Sequence, residues 1–553
     1  MEKPTTYRVK KMVLRNVFAL AFSVYIFFCT SYCAYAGLII ANSAPGNTYA
    51  YENAKRNMVE LNNIAELNSR RIFNFNKESG KRQRKRETKN IKITQNVKSK
   101  NSPVKSKMDS GIEKLGPAKA ASGFGFCSKK SKQWILSALN LNQKFLGIHG
   151  YVETRHYLDT VKHNDFESYY EFHNNFRLSK ELQFTPNLSG KASMDGRLFY
   201  SLSEDDGLYN TVAKIKPWEI YLDYSNDTFD VRVGQQIIRW GKSDEVNPTD
   251  VFTPEDLSEG FNKIQRAKRK LPIIAAKIDY FHEDFQIEGI WLPFFVKTRL
   301  DETGGDWEPF LYRLYHSNSF TFLDDRGPPR QLKSSSFAFK LKKQTTTFDA
   351  SLSYSYHFAQ TAALELQPFT TQVAGVPVQS AFVESVFPRQ HTIGGDFETT
   401  LGRLGVRAEW AYTTNMSFLS YDPQITRATV NKDALNYVMG IDYTYLDNLY
   451  LNLQYAQQFI FSYSDMMQTQ QLEDSVVWRI TKDFWHEKLT FKTTGRYFLS
   501  TGDALFQFAS DYDMSDDINV ECGYHYFLGE ENTNLFGQYR RNDQLYTRIK
   551  YSF

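Results

Sequence analysis

Asp543-Gln544-Leu545-Tyr546-Thr547-Arg548-Ile549-Lys550-Tyr551-Ser552-Phe553 closes the chain, and its alternation decides how the rest is read. Leu545, Thr547, Ile549, Tyr551 and Phe553 share one face, while Gln544, Tyr546, Arg548, Lys550 and Ser552 share the other. Successive side chains of a strand point to opposite faces, so this segment is apolar to aromatic on one side and polar on the other. Such a strand suits a closed barrel that meets lipid outside and water inside. A soluble sandwich also alternates, but it rarely repeats the pattern over several hundred residues with 34 Tyr and 43 Phe.

Upstream segments carry the same split. Trp218, Ile220, Leu222 and Tyr224 alternate with Glu219, Tyr221 and Asp223, and Leu449, Leu451, Leu453 and Tyr455 alternate with Tyr450, Asn452 and Gln454. The polar sets are expected to face the lumen, together with Lys492 and Arg496 on one strand and Asp396, Glu398, Arg407 and Glu409 on another hairpin. From Phe145 onward the pattern predicts an all-β fold, a transmembrane antiparallel barrel of about 16 to 18 strands. Short connections are expected at Pro186-Asn187, Ser225 to Asp227, His282 to Asp284, Lys343 to Thr345, Gly402-Arg403, Asp447-Asn448, Asp483 to His486 and Asp513 to Asp517. Longer ones are expected near 241–271, 298–333, 359–389, 416–433, 462–472 and 528–542. Short periplasmic turns and long outward loops orient the barrel, and an even strand count places both of its ends in the periplasm.

Composition fits once every second strand residue is assigned to the lumen. Aromatics make up 15% of the chain, while a mean hydropathy of -0.50 excludes a helical membrane bundle. The one continuous apolar stretch is at the start. Arg8, Lys10, Lys11 and Arg15 form a basic region, Val17 to Cys29 an apolar one, and Ala34-Tyr35-Ala36 a small-residue cleavage motif, so residues 1–36 read as a secretory signal peptide. Residues 37–134 are rich in Asn, Lys, Ser and Arg, include the basic block Lys81-Arg82-Gln83-Arg84-Lys85-Arg86, and carry a net +14. With +4 on residues 1–36 and +5 on the whole chain, residues 135–553 are left with -13. A polar, like-charged segment cannot bury enough apolar surface to offset its chain entropy, so 37–134 is expected to be a mostly disordered, basic periplasmic tail before a barrel spanning 135–553. Outside the signal, Cys127 and Cys522 are expected to be free thiols, with Cys522 facing lipid.

The sharpest motif is Gly234-Gln235-Gln236-Ile237-Ile238-Arg239-Trp240-Gly241-Lys242-Ser243-Asp244-Glu245-Val246-Asn247-Pro248-Thr249-Asp250, followed by Pro254-Glu255-Asp256. Its Gly-Gln pair, Trp-Gly, Asn-Pro-x-Asp and Pro-x-Asp resemble the hallmark of a family of large Gram-negative outer-membrane barrels of unknown function. That family is distantly like alginate-export channels and other porins. The resemblance covers the barrel but not the tail, and it implies an outer-membrane channel, sometimes associated with export systems, with no established substrate.

Pro248 and Pro254 stiffen the loop, which either folds into the lumen as a constriction or lies on the surface. Its acidic residues Asp244, Glu245, Asp250, Glu255, Asp256 and Glu259 precede the basic Lys263, Arg266, Lys268, Arg269 and Lys270. If the loop turns inward, opposed sets across a narrow pore would create a transverse field. Candidate binding or constriction residues are Arg239, Trp240, Asp244, Asp250, Asp256 and Arg266.

Enzymatic motifs are absent: there is no Gly-x-Ser-x-Gly, no His-Glu-x-x-His, no phosphate-binding Gly-rich loop and no Cys-x-x-Cys, and the ten histidines are scattered. No catalytic residue, cofactor or metal is expected. The sequence therefore predicts a porin-like or export channel for polar or charged solutes in the outer membrane of a Gram-negative cell, or alternatively a non-conducting structural, adhesin or assembly barrel. Expected partners are outer-membrane lipid, periplasmic export components and an anionic periplasmic polymer at the basic tail. Nucleic acid is not expected, because the signal peptide removes the opportunity.

Overall fold

The computed structural model describes residues 147–553 apart from 162–167, 204–209, 262–265, 303–304, 317–319, 324–326, 374–375, 421–428, 447 and 531–534. The signal, the basic tail and Cys127 lie outside the described residues.

Twenty-one strands occur in chain order. The first half comprises β1 (Ile148–Asp159), β2 (Ser168–Thr185), β3 (Leu188–Ser203), β4 (Asn210–Ser225), β5 (Phe229–Gln236), β6 (Ile273–His282), β7 (Phe285–Leu292), β8 (Phe320–Phe322), β9 (Ser336–Gln344) and β10 (Phe348–Phe358). The rest are β11 (Ala363–Val373), β12 (Val376–Val386), β13 (Arg389–Leu401), β14 (Leu404–Leu419), β15 (Thr429–Tyr445), β16 (Leu449–Ile460), β17 (Leu472–Phe484), β18 (Leu489–Phe498), β19 (Ala504–Asp513), β20 (Ile518–Leu528) and β21 (Gln544–Ser552). All but β8, β11 and β12 form one 18-stranded sheet. Each strand of that sheet pairs antiparallel with the next, and β21 returns to β1 in a register running from Tyr151↔Ser552 to Asp159↔Gln544. The sheet is therefore a closed barrel with no free edge.

Burial along the strands is inverted relative to a water-soluble protein. Leu222, Val233, Ile278, Ile287, Phe339, Leu341, Leu352, Ile393, Met439, Ile441 and Leu453 are exposed, whereas Glu288, Lys340, Asp396, Glu409, Asn452 and Gln454 are buried. Exposing that much contiguous apolar surface to water is unfavourable by about 25 cal/mol per Å². Against acyl chains the same surface has no such penalty, so this is a transmembrane barrel.

The expected turns fall where the strands reverse: Pro186-Asn187 joins β2 to β3, Gly402-Arg403 joins β13 to β14, and residues 514–517 join β19 to β20. Three details depart from the sequence reading. Strands β14 and β15 run well into the loop expected at 416–433, because alternation there continues past the membrane layer. The loops expected at 298–333 and 359–389 contain β8, β11 and β12, which form a separate three-stranded sheet. Trp218, grouped with the lipid-facing residues, is 3% exposed. The β3–β4 register skips between Ala192 and Met194, and Trp218 instead packs under the Arg177 guanidinium, 4.4 Å from its ring centroid. A bulge displaces the period-2 pattern by one residue and re-aims the side chain. Cys522 is a free, exposed cysteine, as expected.

Candidate functional site

The described part of the connection between β5 and β6, residues 237–261 and 266–272, lies inside the barrel. Its first residues are apolar and find an apolar patch on the inner wall. Ile238, Trp240 and Phe252 cluster with Ile273 and Ala275 of β6, Ile290 and Leu292 of β7, and Ala338 of β9. The Trp240 and Phe252 rings meet edge to face at 4.8 Å. The Trp240 indole N–H donates to Glu288, and the Lys340 ammonium sits 4.9 Å from its ring centroid. Lys340 in turn pairs with Asp396 of β13 at 2.9 Å, both side chains being buried.

After Trp240 the backbone turns at Gly241, whose φ of +94° belongs to glycine. The Glu409 carboxylate of β14 stands where a Cβ would be, 2.6 Å away. Freed to approach, Glu409 accepts hydrogen bonds from the backbone N–H groups of Lys242 at 3.1 Å, Ser243 at 3.3 Å and Thr249 at 2.9 Å, and from the Thr249 hydroxyl at 2.7 Å. The Lys242 side chain reaches Glu398 of β13 at 2.8 Å and Asp349 of β10 at 3.4 Å. Burial works against its charge, but these carboxylates outweigh it and hold the ammonium above its ordinary range.

The rest of the loop is tied down by ion pairs. Asp250 pairs with Lys270 at 2.9 Å, and Glu255 pairs with Arg269 at 3.2 Å and Lys270 at 3.4 Å. Asp256 pairs with Arg197 of β3 at 3.0 Å and Arg299 at 3.2 Å, and Glu259 with Arg197 at 2.6 Å. The loop's acidic residues thus pair with Arg269 and Lys270 of the same loop and with Arg197, Arg299 and Arg479, so they do not form the one side of two opposed sets that was expected across a pore. The contacts are local to the loop because its two halves run back past each other, with Glu255 bridged to Lys270.

The six sequence candidates do not converge on one site. Trp240 anchors the loop's own core. Asp250 and Asp256 are buried and ion-paired. Asp244 lies 3.8 Å from Arg479 of β17, beside Glu245, which meets Arg479 at 3.0 Å. Arg239 is exposed and forms no ion pair among the described residues. The side chain of Arg266 lies outside the described residues.

The loop is fastened through β3, β6, β7, β9, β10, β13 and β14, and also to β17 by the Glu245–Arg479 pair and to β19 by Gln507, which donates to the Phe261 carbonyl. Beside it a cavity of about 310 Å³ remains. Its wall is built by β1 and by β16 to β21, with Arg155, Arg479, Lys492, Tyr546 and Arg548 among the lining residues, and Lys268 of the loop faces them. Alternation alone assigns the wall residues to the lumen, and Arg548 is visible in the terminal segment. That they border open space while Glu409 and Glu398 bind the loop depends on where the loop goes, for which period 2 carries no signal.

A closed barrel with an apolar exterior, a charged interior, short turns on one side and a long loop folded inward defines a porin-like membrane barrel. The chain belongs to the DUF1302 family of proteins of unknown function, whose family model matches residues 132–446. No curated protein matches it significantly. Similar solved structures include Salmonella typhi OmpF in complex with daunomycin, at 12% identity over 73% of this chain and 97% of that one, with a TM-score of 0.37. Acinetobacter baumannii OccAB4 is similar at 10% identity over 73% and 97%, with a TM-score of 0.41. Pseudomonas aeruginosa OccK5 (OpdH) is similar at 13% over 73% and 97%, with a TM-score of 0.40. At such identities and scores these likenesses add nothing to the barrel's own geometry.

Proposed function

We propose that this protein is an outer-membrane channel through which polar or charged solutes pass beside the inward loop. The observation that carries the reading is the cavity left beside that loop: its ties to the wall narrow the lumen, and open space lined by polar side chains remains along seven adjacent strands. A constriction of this kind works by size and by fixed charge close to the permeating solute, where screening is weakest. The apolar belt is the surface that contacts lipid. No catalytic step is assigned to the barrel.

The test is reconstitution of the purified, heat-modifiable protein into planar bilayers. Discrete conductance steps are expected, and the protein should fractionate with the outer membrane. Absence of current from a correctly assembled barrel would favour a non-conducting structural or adhesive role. That reading draws on the aromatic layer formed by Phe261 of the loop with Trp307, Phe527, Phe536 and Tyr539, which packs the inward loop against the outward ones.

A further inference from the structure

The charges around the open cavity are arranged unevenly, and this deepens the channel reading on which the inference rests. Five cations line it, Arg155, Lys268, Arg479, Lys492 and Arg548, against one carboxylate, Glu521. The partners that balance the wall cations are mostly set back from the opening. Arg155 pairs with the buried Glu153 at 2.9 Å, Lys492 with Asp511 at 2.7 Å, and Arg479 with Glu245 at 3.0 Å. Arg548 pairs with Glu521 at 2.9 Å. These pairs hold the cationic heads in place, so little side-chain entropy is left to lose when a ligand arrives.

Lys268 differs from the rest, because it has no ion pair among the described residues and is exposed. Although its side chain opens onto the cavity, desolvation by the surrounding lumen wall, with the nearby charge of Arg548, pulls its ammonium below the ordinary range. The carboxylates of Glu521 and Glu153 offset this only in part, and a further anion between the cations would relieve it.

We propose that this niche, with Lys268 on the loop facing Arg155 and Arg548 on the wall, binds small organic anions bearing two or more carboxylate or phosphate groups. Guanidinium groups match either oxyanion through paired N–H donors, and an ammonium adds a point charge. Cations contributed by β1, β17, β18, β21 and the loop are spread around the cavity, which favours two or more anionic groups over one. The volume falls at the small end of the range for small-molecule sites, about 300–1,000 Å³.

Citrate and a sugar bisphosphate are the carboxylate and phosphate probes, each titrated calorimetrically into the purified full-length barrel in detergent and each added to the channel in bilayers under a potassium chloride gradient. Lys268→Gln is expected to weaken probe binding roughly tenfold, as loss of a charge-assisted contact does, and Lys268→Arg to restore it. The reversal potential should favour chloride over potassium, and the probe should reduce the chloride current. Citrate binding without bisphosphate binding assigns carboxylates, and the reverse assigns phosphates; both support the niche. If neither probe binds, if Lys268→Gln leaves binding unchanged, or if the open channel prefers potassium, the proposal is overturned. Probe binding without current would sink the channel reading and leave the niche, whereas current without binding would do the opposite.

Discussion

Glu409 of β14 accepts both the backbone N–H and the hydroxyl of Thr249, at 2.9 and 2.7 Å, across 160 residues of sequence. With Lys242 and Ser243 on the same carboxylate, this contact fixes the entrance of the inward loop to the β13–β14 hairpin. A lone carboxylate buried in the lumen would be expensive. Four donors from the loop are what make it tolerable, so wall and loop each satisfy the other.

Replacing Glu409 with Ala removes the shared acceptor and leaves those donors without it. Hydrogen bonds to charged groups contribute about 1.5–3 kcal/mol each, so the loop's first half should loosen. The barrel should still assemble, since the strand ladder is untouched. Single-channel recordings are expected to show larger or noisier currents, while gel mobility of the unheated protein stays normal. Currents identical to the wild type would mean that the contact does not position the constriction.

Gly241→Ala acts on the same contact from the other side. The new Cβ would lie 2.6 Å from a Glu409 carboxylate oxygen at a φ of +94°, so both sterics and backbone oppose it. Its effect should depend on Glu409. In a double-mutant cycle with Glu409→Ala, folding free energies from urea titrations in lipid vesicles should show a coupling of about 0.5–3 kcal/mol. Simple additivity would show that the two residues act separately.

Asp396→Asn leaves the Lys340 ammonium, 4% exposed, without its counter-charge. Removing one member of a buried pair typically destabilises by about 3–5 kcal/mol, whereas replacing both by apolar residues is often neutral. The single variant should therefore unfold at clearly lower urea concentration than the double variant Lys340→Met, Asp396→Leu. Equal midpoints would place the pair in contact with water rather than in a dry wall.

Gly150 marks the seam. Its N–H and C=O bond Phe553 at 2.8 and 2.9 Å, and an added Cβ would come within 2.2 Å of the Arg177 carbonyl oxygen. Gly150→Val, or deletion of Phe553, should slow or prevent closure of β1 on β21. Pulse-chase analysis of the heat-modifiable form is the measurement, and wild-type assembly kinetics in both variants would show that this end of the seam is dispensable.

Much of this architecture was legible before any coordinates. The alternation of Leu545, Thr547, Ile549 and Tyr551 against Tyr546, Arg548 and Lys550 sets the faces of β21, and equivalent patterns set those of β13, β14 and β16. Turn residues such as Gly402-Arg403 locate the reversals, because period and turn chemistry are local properties of a strand. Alternation failed at Trp218, since a bulge arises from a mismatch between two strands and not from either alone.

The direction of the 237–272 loop was decided only by tertiary structure. Its motif announces order, but the residues that capture it, Glu409, Glu398 and Arg197, lie on distant strands and carry no local mark distinguishing them from other lumen-facing charges. The same holds for the charges around the open cavity. Sequence by itself determined a closed barrel with a polar interior, because a repeating two-residue period dictates which side chains meet lipid. Where in that interior the loop is held, and which cations are left facing open space, was settled by long-range pairing, where each charge takes the partner that folding brings within hydrogen-bond reach.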